Sequence, residues 1–150
     1  MEIKRYTKDQ IRDVIAFEQN LRKEENVWGW EIDDTYLKNV TQSFEKTEFD
    51  NSVSMLAYID GEVVGRIDSS MIYSHFDGSV KAYLDWLCVL KSCRHKGVAQ
   101  ALMNSLQREL KKCGVDTLMG LMDSNEEAQR FYRSMPNALI RDEGIWIHIT

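Results

Sequence analysis

Leu87-Cys-Val-Leu-Lys-Ser-Cys-Arg-His-Lys-Gly-Val-Ala99 is the stretch around which the rest of this chain can be organised. Up to Leu90 it is apolar and completes a β-prone run that begins near Val80. A basic turn follows, carrying Lys91, Arg94 and Lys96. From Gly97 to Cys113 the period becomes helical, with Val98, Leu102, Leu106, Leu110 and Cys113 on one stripe. A strand that passes through a basic turn straight into an amphipathic helix presents the helix's first-turn amides and the positive end of its dipole. That arrangement binds phosphate. Gly97 lets backbone approach a ligand with no Cβ between them, and Ala99 is small enough for the same purpose. The turn is neither the GxGxxG of a dinucleotide fold nor the GxxxxGK[ST] of a P-loop.

Working outward, Gly114 stands where a helix C-terminal cap is expected, and residues 115 to 122 read as a strand. Asp123 or Ser124 caps a further helix through Glu126, Ala128, Phe131 and Tyr132, with Pro136 just past its end. Residues 138 to 141 and 145 to 149 read as a last hairpin across Glu143-Gly144. On the other side, residues 3 to 6 suggest a short strand, and Thr7 an N-cap for a helix bearing Ile11, Val14, Ile15, Glu18 and Leu21. Residues 24 to 34, with Trp28, Gly29 and Trp30, break that pattern. A second helix starts at Asp33 or Asp34 and carries Tyr36, Leu37, Val40 and Phe44 on one face. Strands follow at residues 53 to 59 and around Val63, Val64 and Ile67, joined by Asp60-Gly61, with a second turn at Asp77-Gly78. Antiparallel hairpins followed by a strand–helix–strand crossover predict an α+β fold with a mixed, mostly antiparallel central sheet and flanking helices.

The bulk numbers agree. The chain has 150 residues and a mass of 17.5 kDa, so residues 1–150 are expected to form one domain. With 43% hydrophobic and 29% charged residues, collagen-like, low-complexity and disordered classes are excluded. The lack of a long apolar run and of a signal-peptide core predicts a cytoplasmic protein that does not meet a membrane. Three cysteines and three scattered histidines fit neither a disulfide scaffold nor a metal site. A net charge of −5 argues against nucleic acid as a partner. That charge is unevenly spread. Residues 24 to 50 hold eight carboxylates against two lysines, and residues 91 to 112 hold six basic residues against one Glu. The functional reading gives an anionic ligand to the basic stretch and a cationic one to the acidic stretch, as two separate sites.

With these residues in view, the sequence resembles the GNAT superfamily of N-acetyltransferases. Arg94-x-x-Gly97-x-Ala99 looks like the family's turn for the pyrophosphate of acetyl-coenzyme A, with Ala in place of the commoner Gly. Tyr83-Leu-Asp-Trp-Leu-Cys-Val89 looks like its fourth strand, and Asn125, Ala128, Phe131 and Tyr132 match its Asn-x-x-Ala-x-x-Phe-Tyr signature. Pro136-Asn137 departs from the usual Gly-Phe. Residues 53 to 150 match in element order and motif spacing, and residues 1 to 50 only as a strand followed by two helices.

The resemblance implies an acetyl-CoA-dependent acetyl transfer to an amine, by direct attack in a ternary complex. It implies that backbone at Leu87, Cys88 and Val89 pairs with the pantetheine arm. The amides of Arg94, His95, Lys96, Gly97, Val98 and Ala99 then cradle the diphosphate, and Asn125 bonds the cofactor or a nearby carbonyl. Tyr132 is the candidate acid for the departing thiolate, since a phenol of pKa ~10 can donate to a thiolate whose acid lies near ~8.5. A cationic amine must first lose a proton, and Asp85 is the candidate base, with Asp68, Glu31 and Asp33 in reserve. Trp28 and Trp30, with Glu31 and Asp33, are expected to wall a pocket for an organic cation. Cys88, Cys93 and Cys113 read as packing thiols, not acyl carriers. The acceptor is expected to be a small cationic amine: a polyamine, an aminoglycoside-like antibiotic or an amino-acid derivative. A protein N-terminus or lysine as acceptor, and a CoA-binding sensor without catalysis, are the alternatives. No metal is expected, and a homodimer is allowed.

Overall fold

Four strands lie side by side in chain order and pair antiparallel: β1 (Glu2–Arg5), β2 (Ser52–Ile59), β3 (Glu62–Tyr73) and β4 (Val80–Val89). β5 (Thr117–Gly120) follows β4 at the edge of this sheet. The computed structural model describes residues 1–27 and 29–149. By their contacts these fall into two compact units, one ending at Met119 and the other beginning at Gly120. The Asp60-Gly61 turn forms as expected, both residues taking the left-handed conformation of a tight hairpin (φ 51° and 79°).

The first unit covers both faces of its sheet. α3 (Val98–Lys112) lies on the face shared by Gly65 and Ile67, burying Val98, Leu102, Met103, Leu106 and Leu110. A Cβ on Gly65 would stand 3.1 Å from Leu102 and Val98 side-chain carbons, so glycine there lets the helix sit close. α1 (Ile11–Glu24) lies on the opposite face and buries Val14, Phe17 and Leu21. α2 (Asp34–Ser43) starts from an Asp33 cap and buries none of its residues; Phe44 beyond it packs edge-on against Tyr6.

Glu18, in the apolar stripe of α1, is fully buried. Its carboxylate accepts from Arg66 Nη1 at 2.9 Å and Arg22 Nη1 at 2.5 Å, while Arg66 also forks onto Asp68. A buried carboxylate is tolerated only with such partners. Glu18→Gln removes the charge beneath two guanidiniums and is expected to cost about 2 kcal/mol. Urea denaturation measures this, and an unchanged midpoint would show that the network carries no stability.

On β4 the structure corrects one expectation. Strand alternation puts Asp85 and Trp86 on opposite faces. Asp68 stands opposite Trp86 but Ser69 stands opposite Leu84, so Asp85 is an extra residue, a β-bulge. Asp85 bonds Ser70, which shares the Asp68 face, so Asp85 and Trp86 open to the same side.

In the second unit, α4 (Glu126–Arg133) starts from an Asn125 cap. The expected hairpin of residues 138 to 149 does not form: the described residues there adopt no strand. Ile145, Trp146, Ile147 and Ile149 are largely exposed, and Gly144 packs against Leu121 and Trp146 rather than in a tight turn. β-branched alternation supplies only one side of a ladder, and a strand needs a partner backbone in register as well. The strand expected at residues 115 to 122 is shortened to Thr117–Gly120. Among the described residues no helix is long and apolar enough to cross a membrane.

Candidate active site

β4 ends at Val89, and residues 91–93 form a single turn closed by Cys93 N donating to Leu90 O at 2.8 Å. His95 and Gly97 then take left-handed backbone, at φ 63° and 79°, which swings the chain into α3. Gly97 stands at the cap position with no side chain to bond the helix's first amides, and the first helical bond runs from Ala101 N to Gly97 O at 3.0 Å. The amides of Val98, Ala99 and Gln100 therefore point out of its N-terminus. A Cβ built on Gly97 would meet no atom within 4 Å, so the space beside Gly97, at the start of the helix, is open. Outward amides, a helix dipole and Lys96 beside open space suit a diphosphate.

Arg94 has a different place from the one expected. Its Nε donates to Val89 O at 3.1 Å, its guanidinium pairs with Glu25, and its amide donates to Lys91 O. It braces the turn. The Leu87, Cys88 and Val89 backbone pairs with β3 on one side. β5 begins beside Val80, at the other end of β4, where Asp116 N donates to Val80 O. With four residues against ten, β5 does not itself reach Val89. The Cys88 thiol is pushed up to about 11, chiefly by burial, and so stays protonated and unsuited to carry an acyl group.

The acidic and basic stretches, read above as separate sites, are joined. Glu24, the last residue of α1, accepts from Ser92 N at 3.1 Å and Ser92 Oγ at 2.5 Å, and Glu25 holds Arg94. The Ser92 bonds keep the Glu24 carboxyl below its ordinary value.

On the α1 face of the sheet, Asp85 opens to solvent and accepts from Ser70 Oγ at 2.6 Å. Desolvation raises its pKa; the Ser70 bond opposes this, and the Asp68 charge adds to it. Asp68 itself is forked by Arg66, at 2.7 and 2.9 Å, which occupies both its oxygens and ties it to the buried network. Trp30 packs between Tyr36, stacked with centroids 6.2 Å apart, and Trp86, edge-on at 5.7 Å, with the Arg22 guanidinium over its ring. Among the described residues Trp86 Nε1 and Tyr6 Oη are buried without a hydrogen-bond partner. Glu31 lines an open cleft with Gln19, Arg22 and Trp30. Asp33 Oδ1 accepts from Tyr36 N at 2.9 Å, which makes it the cap of α2. Trp28 lies outside the described residues.

In the second unit, Asn125 Oδ1 accepts from Ala128 N at 2.8 Å, and Asp123 Oδ1 accepts from Asn125 N at 3.1 Å. Seven residues on, Tyr132 packs edge-on against Phe131, with centroids 5.2 Å apart. Burial raises the Tyr132 phenol above its ordinary value, so it remains a proton donor at neutral pH.

Sequence reasoning missed the Trp86 and Tyr36 contacts of Trp30 and the braces from Glu24 and Glu25. A signal existed for the buried network, since Glu18 stands among Ile11, Val14 and Leu21 and a carboxylate there demands a cationic partner. The bulge left no such mark.

Residues 15–135 match the acetyltransferase (GNAT) family. The chain is 31% identical over 93 residues to an aminoglycoside N(6')-acetyltransferase type 1 of Salmonella typhimurium, a match spanning 60% of this chain and 61% of that relative. Its fold is similar to that of an aminoglycoside acetyltransferase from an uncultured soil metagenomic sample, solved in complex with trehalose. The TM-score is 0.82 at 16% identity, covering 99% of this chain and 96% of that one. AAC(6')-Iy, solved with a bisubstrate analog, CoA-S-monomethyl-acetylneamine, gives a TM-score of 0.77 at 20% identity over 99% and 98% of the two chains.

Proposed function

The chain belongs to the GNAT family of acetyltransferases, and from that premise we propose that it transfers an acetyl group from acetyl-CoA to a primary amine of a small cationic molecule of the aminoglycoside kind. The observation that carries the donor is the start of α3 at Gly97, where the cap residue offers no side chain, the backbone of His95 and Gly97 is left-handed and the space at Gly97 is open. The relative that is 31% identical, an aminoglycoside N(6')-acetyltransferase, supports the acceptor. So does the aromatic and carboxylate wall of Trp30, Tyr36, Trp86 and Glu31. The family match runs across the boundary at Met119, which supports a single acetyltransferase domain over both units.

Acetyl-CoA supplies an acetyl thioester open to attack by an amine. In this reading the amides of Val98 and Ala99, with Lys96, bind the diphosphate, and backbone at Leu87, Cys88 and Val89 orients the pantetheine arm. Asp85 takes, through water, the proton the ammonium must lose. The freed amine forms the C–N bond as the C–S bond breaks; Tyr132 donates a proton to the departing sulfur, and the acetylated nitrogen gives up its second proton to solvent, from which the Tyr132 phenol is restored. Asn125 fixes the start of the helix that carries Tyr132.

Because Asp85 must be ionised and its pKa is raised, kcat/KM is expected to fall with decreasing pH at values above the usual carboxylate pKa of ~4. Asp85→Asn is expected to remove that acid limb and lower the neutral-pH rate by about tenfold, less than a base in direct contact supplies. A pH–rate profile with the limb intact would assign the proton to another group.

A thiol-release assay of acetyl-CoA against aminoglycosides, polyamines and a basic peptide tests the function. Release is expected with the small polycations and fastest with an aminoglycoside. Release with the peptide alone would move the acceptor to protein, and none with any amine would leave a coenzyme A sensor.

A further inference from the structure

Glu24 and Glu25 belong to the acidic stretch that suggested attraction of a cationic acceptor, yet both are committed to the basic turn. We infer that they are positioning residues: through Ser92 and Arg94 they fix the turn that leads into the α3 amides proposed to bind coenzyme A, and so couple the end of α1 to the cofactor site. The inference rests on the proposed use of coenzyme A.

The turn needs an external hold. Of the backbone bonds within it, Cys93 N to Leu90 O is 2.8 Å, but Arg94 N to Lys91 O is long at 3.4 Å. His95 sits in left-handed backbone, which a non-glycine residue keeps only when its surroundings impose it. α1 provides a firm platform, because Phe17 and Leu21 are buried and Glu25 N still donates to Leu21 O at 3.1 Å. From that platform Glu24 takes both the hydroxyl and the amide of Ser92, and Glu25 takes the Arg94 guanidinium whose Nε already holds the Val89 carbonyl. The last residue of β4, the turn and the last turn of α1 are thereby joined. The loop bearing Trp30 and Glu31 leaves from the same helix end, so the brace also ties the proposed acceptor wall to the cofactor turn.

Electrostatics and positioning predict opposite signs. Removing a carboxylate close to an anion site strengthens anion binding if charge alone matters. Removing a brace weakens it, because the amides lose their arrangement before the ligand arrives. Calorimetric titration with coenzyme A, at one salt concentration, is therefore decisive. Glu24→Ala, Glu25→Gln and Ser92→Ala are each expected to weaken binding by about 3- to 10-fold, while Ser92→Thr, which keeps the hydroxyl, binds like wild type. In steady-state assays the loss falls on KM for acetyl-CoA and leaves kcat close to wild type. Thermal melts show that each variant is folded, and Glu25→Gln is the mildest change. Equal or tighter binding by Glu24→Ala and Glu25→Gln overturns the inference while the cofactor assignment stands. A wild-type chain that takes up no coenzyme A contradicts the proposed function and this inference together.

Discussion

Gly97→Glu is expected to abolish coenzyme A binding, weakening it by at least about 100-fold, or about 2.8 kcal/mol. The side chain clashes with no protein atom, since a Cβ there meets nothing within 4 Å. What the glutamate would occupy is the open space in front of the Val98 and Ala99 amides, with a negative charge where the diphosphate is expected. Gly97 also has a φ of 79°, so any other residue is strained. Gly97→Ala carries the same strain of about 1 kcal/mol without charge or length, and separates the two effects. Calorimetry with coenzyme A on both variants, checked by thermal melts, gives the comparison. If folded Gly97→Glu binds like wild type, the diphosphate does not lie at this turn.

Tyr132→Phe is expected to lower kcat by about 10²-fold and leave affinity for acetyl-CoA unchanged. The substitution keeps the ring that packs edge-on against Phe131 and removes only the hydroxyl. Because burial raises the phenol's pKa above its ordinary value, Tyr132 is protonated throughout the neutral range, and its loss should depress the whole neutral plateau rather than shift a limb. An unchanged kcat would mean that water protonates the thiolate and that Tyr132 only packs.

How much of this was legible in the sequence depended on where the controlling interactions lie. The β4–turn–α3 segment could be read almost residue by residue, because its signals are local: apolar run, basic turn, glycine, amphipathic stripe. The Asp60-Gly61 hairpin and the Asp33 cap of α2 are local in the same sense. The bulge at Asp85 was not legible, since it exists only in the register between two strands, where Asp68 and Ser69 skip one residue of β4. It reversed the expected relation of Asp85 to Trp86. The residues 138 to 149 failed for a related reason, as their alternation promised strands without naming a partner. Charge patterning misled in an instructive way. Summed over residues 24 to 50 it described an acidic patch, but Glu24, Glu25 and Asp33 are each held by a specific donor at Ser92, Arg94 or Tyr36. Long-range partners of this kind, like the Glu18–Arg66–Asp68 network, become visible only once the fold brings them together.

The central claim, that the Gly97 turn presents acetyl-CoA for transfer to an amine, is tested most directly by the mass of the acceptor. The wild-type chain and Gly97→Glu are each incubated with acetyl-CoA and an aminoglycoside bearing a free primary amine, and the products are measured by mass spectrometry. Wild type is expected to add a single acetyl group to the aminoglycoside, and Gly97→Glu none. An acceptor of unchanged mass with wild type, or equal acetylation by the two proteins, would contradict the account.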